Sequence, residues 1–228
     1  MNAIISIIIY VIASLAFIII GPIVLLITFI NPSNSSTYII PFCKFMIIVF
    51  GCKLKVYGDF PKNETFVIMA NHVSFLDVFA IPSVFGYGKK FSAIAAAKNF
   101  KIPIYAQILR KMKVVSIDRS NRKQAIKGIH QAERILKEEN YNIVILPEGT
   151  RTLTGGIGQL KKGGFHLAIN TRSRILPIVT KGLFDIKPRN RWYIIPGTID
   201  IYIGNPIETN GKTVDELLET VTKTFNNN

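Results

Sequence analysis

The first 43 residues of this 228-residue chain contain no Asp, Glu, Lys or Arg; the first charged side chain is Lys44. Cysteine occurs only twice and histidine three times. Two cysteines exclude a disulfide-stapled scaffold. Cys43 and Cys52, with no histidine clustered beside them, do not form a zinc pattern; they read as buried thiols, which suits a reducing compartment. Glycine, at 16 residues without a three-residue period, excludes a collagen-like chain. No Gly-x-Ser-x-Gly sequence is present, so the strand-to-helix nucleophile elbow is excluded.

What is abundant is apolar residues, at 49%, with a mean hydropathy of +0.32. That excludes a largely disordered chain, which lacks the apolar surface to offset ordering entropy. Positive charge is also abundant: 28 Lys and Arg against 14 Asp and Glu, a net +14. Residues 44–185 hold 23 basic and 9 acidic side chains, which is +14, and residues 186–228 hold 5 of each. A neutral apolar head therefore precedes a basic body that attracts an anionic partner.

Residues 3–30 are almost continuously Ile, Val, Leu, Ala and Phe. As a helix they extend roughly 42 Å, against about 30 Å of bilayer hydrocarbon; Gly21-Pro22 is a candidate kink. A turn cluster at residues 31–36 leads to a second apolar stretch, residues 38–51, about 21 Å long as a helix. A cleaved signal peptide fits poorly, since no basic segment precedes the run. Residues 1–52 read as a membrane-embedded helical hairpin that enters one bilayer face, with a single span by the first helix as the alternative. The lysines and arginines that follow favour a cytoplasmic body on the inner membrane.

Residues 53–228 alternate short apolar runs with helical patterns. Runs at residues 66–70, 113–117, 142–146 and 175–179 read as strands, with residues 91–97 as a fifth. Residues 121–139 repeat apolar positions near the helical period; residues 192–203 read as a strand and residues 213–225 as a closing amphipathic helix. The expected fold is α/β, a mostly parallel sheet flanked by helices, preceded by the hydrophobic two-helix motif. Sites in such sheets form beyond the carboxyl ends of strands. His72, Arg119, Glu148 and Arg151 follow apolar runs at that end. The Gly-rich stretch at residues 154–158 does not directly follow a strand, so it is not a dinucleotide fingerprint.

His130 lies within the charged helical stretch and His166 just beyond Lys161-Lys162-Gly163-Gly164. His72 differs, because a carboxylate, Asp77, follows five residues later across a strand-to-helix turn. Asp77 would orient the imidazole as a general base, or, with Ser74, merely close a capping box. No cysteine lies near His72 and no metal-ligand set is visible, which favours activation of a substrate hydroxyl or water. Arg119, Arg151, Lys161 and Lys162 are suited to phosphate. Nucleic acid is disfavoured, since no aromatic stacking platform interleaves the basic residues.

The block Asn71-His72-Val73-Ser74-Phe75-Leu76-Asp77 resembles the N-H-x-x-x-x-D block of the 1-acylglycerol-3-phosphate (lysophosphatidate) acyltransferases of bacterial type. Pro147-Glu148-Gly149-Thr150-Arg151 resembles their P-E-G-T-R block, Arg119 falls at the intermediate arginine, and the run containing Pro177 resembles the final proline block. Leu146 stands where many members have Phe. The resemblance implies His72 as general base with Asp77 supporting it. It implies Arg119 and Arg151 as phosphate ligands in a pocket shaped by Glu148, Gly149 and Thr150, with Asn71, Ser74, Lys161, Lys162 and Pro177 in support. The implied reaction of phospholipid biosynthesis moves an acyl chain from acyl-CoA or acyl carrier protein to the sn-2 hydroxyl of lysophosphatidic acid, giving phosphatidic acid. No acyl-enzyme, metal or prosthetic group is implied. Glycerol 3-phosphate or another lysophospholipid is the alternative acceptor, and a non-catalytic anionic-lipid binder the alternative class.

Overall fold

The computed structural model describes residues 1–31, 35–86, 88–118 and 120–227. Two apolar helices come first, α1 (Asn2–Ile30) and α2 (Ser35–Val49). The body follows in the order β1 (Lys53–Tyr57), β2 (Val67–Ala70), α3 (Asp77–Ala80), β3 (Phe91–Ala96), α4 (Pro103–Lys111), β4 (Val115–Ile117), α5 (Arg122–Glu139), β5 (Asn142–Ile145), α6 (Gly163–Thr171), β6 (Ile175–Lys181), α7 (Leu183–Ile186), β7 (Thr198–Ile203) and α8 (Val214–Asn227). The strands form one seven-stranded sheet ordered β1-β7-β6-β2-β5-β3-β4. Every pairing is parallel except β6 with β7. The expected mostly parallel sheet flanked by helices is therefore present.

Period-two alternation sorts the inner strands between two cores. From β2 and the residue before it, Phe66, Ile68 and Ala70 face one core, while Val67 and Met69 face the other. The second core is roofed by α5, α6 and α8 through Ala132, Phe165 and Val221. The first is roofed by α2, through Ile40, Cys43, Met46, Ile47 and Phe50, together with Leu76 and Ala80 around α3. The composition boundary near residue 52 is thus crossed by a continuous core, and α2 forms one layer of the α/β body.

The outer helix α1 buries a narrow stripe of mostly small residues, Ser6, Ile9, Ala13, Gly21 and Thr28, and exposes Ile, Val and Leu on its remaining faces. Among the described residues it is the one helix long and apolar enough to cross a membrane. Both of its ends touch the body. Ser6 Oγ accepts from Ile194 N at 2.8 Å and the Tyr10 hydroxyl donates to Trp192 O at 2.6 Å. At the other end Lys111 Nζ of α4 lies 3.7 Å from the Phe29 ring centroid.

Two readings of the sequence need correction. The strand expected over residues 192–203 begins only at Thr198. Pro196 cannot donate to a ladder, and the stretch before it is instead used by α1 through Trp192 and Ile194. Strand β1 was not expected, because Lys53 and Lys55 interrupt its apolar pattern; as an edge strand it keeps those side chains in water.

Helix α5 approaches the sheet at Gly128, where an added Cβ would lie 2.8 Å from Ile117 Cγ1 and 3.0 Å from the Ser116 carbonyl oxygen. Gly128→Ala is expected to lower stability by about 1–3 kcal/mol through overpacking, less roughly 1 kcal/mol of improved helix propensity. Chemical denaturation checks this: a higher midpoint, the outcome of helix propensity alone, contradicts a tight contact here.

Candidate active site

Strands β2 and β5 are neighbours, and both end at the same sheet edge. Beyond β2 the chain continues as Asn71-His72, and beyond β5 as the Pro147-Glu148-Gly149-Thr150-Arg151 turn. Parallel pairing therefore brings together two blocks 76 residues apart: the His72 amide donates to Glu148 Oε1 at 2.8 Å. The Thr152 amide returns a bond to the His72 carbonyl at 3.0 Å. Glu148 Oε2 accepts from the Gly158 amide at 2.8 Å. Both carboxylate oxygens of Glu148 are thus occupied by backbone. Its burial pushes the carboxyl above the ordinary glutamate range, against the pull of these two amides. Glu148 is a clamp on the His72 backbone, and Gly158, at the end of the Gly-rich stretch, closes against its other oxygen.

His72 is itself held from both sides. Asn71, buried, pairs with Thr180 at the end of β6: its Nδ2 donates to Thr180 O at 3.0 Å, and its Oδ1 accepts from Thr180 N at 2.7 Å. The imidazole Nδ1 lies 2.7 Å from Asp77 Oδ2. Among the described residues Nε2 has no hydrogen-bond partner, and the His72 side chain is 22% exposed against 1% for Asp77. With an ionised Asp77 as acceptor, Nδ1 carries the proton and Nε2 presents its lone pair outward.

The sequence left Asp77 divided between orienting His72 and capping a helix. The oxygen that meets His72 also ties the turn before α3, since Oδ2 accepts from the Val73 and Ser74 amides, each at 3.0 Å, while the N-cap Leu76 has no side-chain cap bond. The hydroxyl of Ser74 does not complete a capping box; it donates to Lys187 O at 2.7 Å. Burial raises the Asp77 carboxyl above the usual carboxylate range, although His72 and the two amides pull it down. Its other oxygen, Oδ1, is buried without a partner among the described residues.

Thr150 is exposed and its Oγ1 accepts from Arg189 Nη1 at 3.1 Å; Arg151 is half-buried beside it in sequence. Gly149 adopts φ +72°, the left-handed conformation that glycine permits in this turn. Arg119 lies outside the described residues. Lys161 is exposed and ties its amide to Pro147 O at 2.8 Å. Lys162 Nζ pairs with Asp215 Oδ1 of α8 at 2.7 Å. Pro177 sits inside β6 in register with Met69 and accepts from Gly204 N at 2.9 Å. Of the other histidines, His166 is exposed on α6 and His130 pairs with Glu133 at 3.0 Å on α5. Among the described residues no three His, Cys, Asp or Glu side chains converge as a metal-ligand group. Thr180, Gly158 and residues 187–191 were missed from sequence. The first two act through a position in space, and the last was hidden because residues 186–228 sum to zero charge.

The model of the acyltransferase family matches residues 53–181, which contain both blocks. This chain belongs to the acyltransferase family. A 1-acyl-sn-glycerol-3-phosphate acyltransferase of Cocos nucifera is 30% identical over 166 residues, covering 73% of this chain and 53% of the relative. One of Pseudomonas aeruginosa is 30% identical over 177 residues, covering 75% and 66%. The chain thus spans between about half and two thirds of the length of these curated relatives. The crystal structure of the 1-acyl-sn-glycerophosphate acyltransferase of Thermotoga maritima superposes with a TM-score of 0.83 at 25% identity, covering 99% of this chain and 93% of that one. That match extends the family fold across α1 and α2 as well as the sheet.

Proposed function

We propose that this acyltransferase moves an acyl chain from a thioester donor, acyl-CoA or acyl carrier protein, to the sn-2 hydroxyl of lysophosphatidic acid, yielding phosphatidic acid. The observation that carries the reading is the His72–Asp77 pair, with Nδ1 engaged at 2.7 Å and Nε2 facing outward. In the reaction, Nε2 removes the proton of the acceptor hydroxyl as its oxygen attacks the thioester carbonyl. Asp77 offsets the positive charge that develops on the ring. Collapse of the tetrahedral adduct breaks the carbon–sulfur bond, and the imidazolium returns its proton to the departing thiolate. The donor is already activated, so no acyl-enzyme is needed. Arg151 and Arg119 hold the acceptor phosphate, with Gly149 and Thr150 shaping the pocket and Glu148 holding the turn. No metal or prosthetic group takes part.

The test is product identification. Purified full-length protein is supplied with lysophosphatidate or glycerol 3-phosphate and with each type of thioester. Phosphatidic acid from lysophosphatidate supports the reading; acylation of glycerol 3-phosphate alone moves the acceptor; no acylated product with any combination overturns it.

The α1–α2 hairpin seats the domain on the cytoplasmic face of the membrane. Because α1 touches the body at both Ser6 and Phe29, it lies along the domain with its apolar outer face turned to lipid. This geometry favours entry into one leaflet over a free span. The double substitution Ile12→Lys and Ile19→Lys, on exposed positions, is expected to shift the protein from vesicle-bound to soluble in flotation assays, each lysine costing up to about 2.5–3.5 kcal/mol in hydrocarbon. Unchanged flotation at high salt argues that α1 does not face lipid.

A further inference from the structure

Residues 187–191, Lys-Pro-Arg-Asn-Arg, follow α7 and place three cations in five residues. The segment is fastened to both motif blocks. The Lys187 carbonyl accepts the Ser74 hydroxyl from the His72–Asp77 turn at 2.7 Å, and Arg189 Nη1 reaches Thr150 Oγ1 at 3.1 Å. It is also braced internally. Lys187, 8% exposed, donates Nζ to Pro188 O and to Arg191 O, and Arg191 Nη2 donates to the carbonyls of Asp185 and Ile186. Burial, then the guanidinium charges of Arg151 and Arg191, hold the Lys187 ammonium below the ordinary lysine value.

The partners of these cations are neutral, the Phe75 ring beside Lys187 and the Tyr193 ring beside Arg191 included. Lys187 and Arg191 spend their protons on carbonyl dipoles, and Arg189 on a neutral hydroxyl. Among the described residues no carboxylate lies within ion-pair distance of Arg151, Lys187, Arg189 or Arg191. Elsewhere on the chain carboxylates do meet bases, as Arg174 shows with Glu64 and Glu208. Like charges brought together without a counter-ion raise the energy of the empty site and lower it once an anion arrives. Of the four, Arg189 alone is both exposed and aimed at the Thr150–Arg151 turn, on a loop that its neighbours have already made rigid. A guanidinium held this way contacts two phosphate oxygens at once with little entropy left to lose.

We propose that Arg189 is a specificity-determining residue that binds the phosphomonoester of the acceptor lipid, completing from residues 187–191 a wall begun by Thr150 and Arg151. This rests on the acceptor reading given under Proposed function. Acyl-CoA also carries a phosphomonoester, so donor and acceptor arms are needed.

The experiment uses full-length protein in mixed micelles and compares the native chain with Arg189→Ala and Arg189→Lys. For Arg189→Ala, KM for lysophosphatidate is expected to rise about 10-fold or more, with kcat changed less than about 3-fold and KM for acyl-CoA unchanged. Arg189→Lys restores part of the loss, since it keeps the charge and loses the fork. In a parallel arm without donor, equilibrium binding of lysophosphatidate weakens by the same factor, while binding of monoacylglycerol, which lacks the phosphate, does not change. An unchanged lysophosphatidate KM, or a rise confined to acyl-CoA, overturns the proposal. The binding arm separates the two readings: native protein that binds lysophosphatidate through Arg189 but never acylates it defeats the acceptor assignment and leaves the phosphate contact standing.

Discussion

His72→Ala is expected to lower kcat by about 10²–10⁴-fold, the usual contribution of a positioned general base, while lysophosphatidate binding stays within a few-fold of native. The separation follows from where the residue's contacts lie. The His72 amide and carbonyl, bonded to Glu148 and Thr152, survive the substitution and keep the two blocks joined. Only the ring is lost, and among the described residues its Nε2 has no hydrogen-bond partner. Steady-state kinetics with parallel binding measurements check this. Turnover within about 3-fold of native would remove His72 from proton transfer and leave its turn a purely structural one.

Asp77→Asn carries a two-sided expectation. Turnover should fall by about 10²–10⁴-fold, because a neutral amide no longer offsets the imidazolium formed as the hydroxyl attacks. Stability should move the other way at neutral pH. The buried carboxyl is raised above its unfolded value by desolvation, and one of its oxygens lacks a partner among the described residues. A group with a raised native pKa contributes stability that is fully present below the unfolded value, about 3.9, and lost as pH climbs through the native one. The native protein therefore carries the cost of an ionised, buried carboxylate above the carboxylate range, and the asparagine variant does not. After burial, the Asp77 charge is the last of the causes that raise the Glu148 carboxyl, so its removal relieves Glu148 in the same sense and adds to the trend. The melting temperature of Asp77→Asn, relative to native, should rise as pH increases from about 4 toward neutrality. A difference independent of pH would mean that the carboxylate is not strained by its burial.

The fold was legible where local pattern and tertiary role agree. The short apolar runs at β2, β5 and β6 are buried, β2 and β5 on both faces, so they read as strands without alternation, and α5 shows its period because one face is wet. Residues 192–197 share that apolar composition, but Trp192 and Ile194 serve α1, and nothing local separates a strand from a surface that receives a helix. The site was legible in part for a similar reason. His72 and Asp77 are five residues apart, so one turn sets their geometry. The role of Glu148 depends on β2 and β5 being neighbours, which no spacing encodes; the family resemblance implied a pocket wall, and the structure shows a clamp with both oxygens spent on amides. Asp77 looked like a choice between base support and helix cap because a sequence assigns one role per residue, whereas a carboxylate oxygen accepts several bonds.

The crossing of one core by α2 also bears on how the protein is made. Phe50 of the turn after α2 packs edge-on against Phe75 at 5.5 Å and lies 5.8 Å from Phe79, so the turn that carries His72 and Asp77 rests on the hairpin. Chains fold roughly in the order of synthesis, at about 5–20 residues per second, and the hairpin leaves the ribosome before any strand. On the membrane seating proposed above, the sheet assembles against a helix already stationed at the bilayer. On that proposal, delivery to the membrane and completion of the His72–Asp77 turn become one event. A body synthesised without its head would be left with a bare sheet face rather than a soluble enzyme.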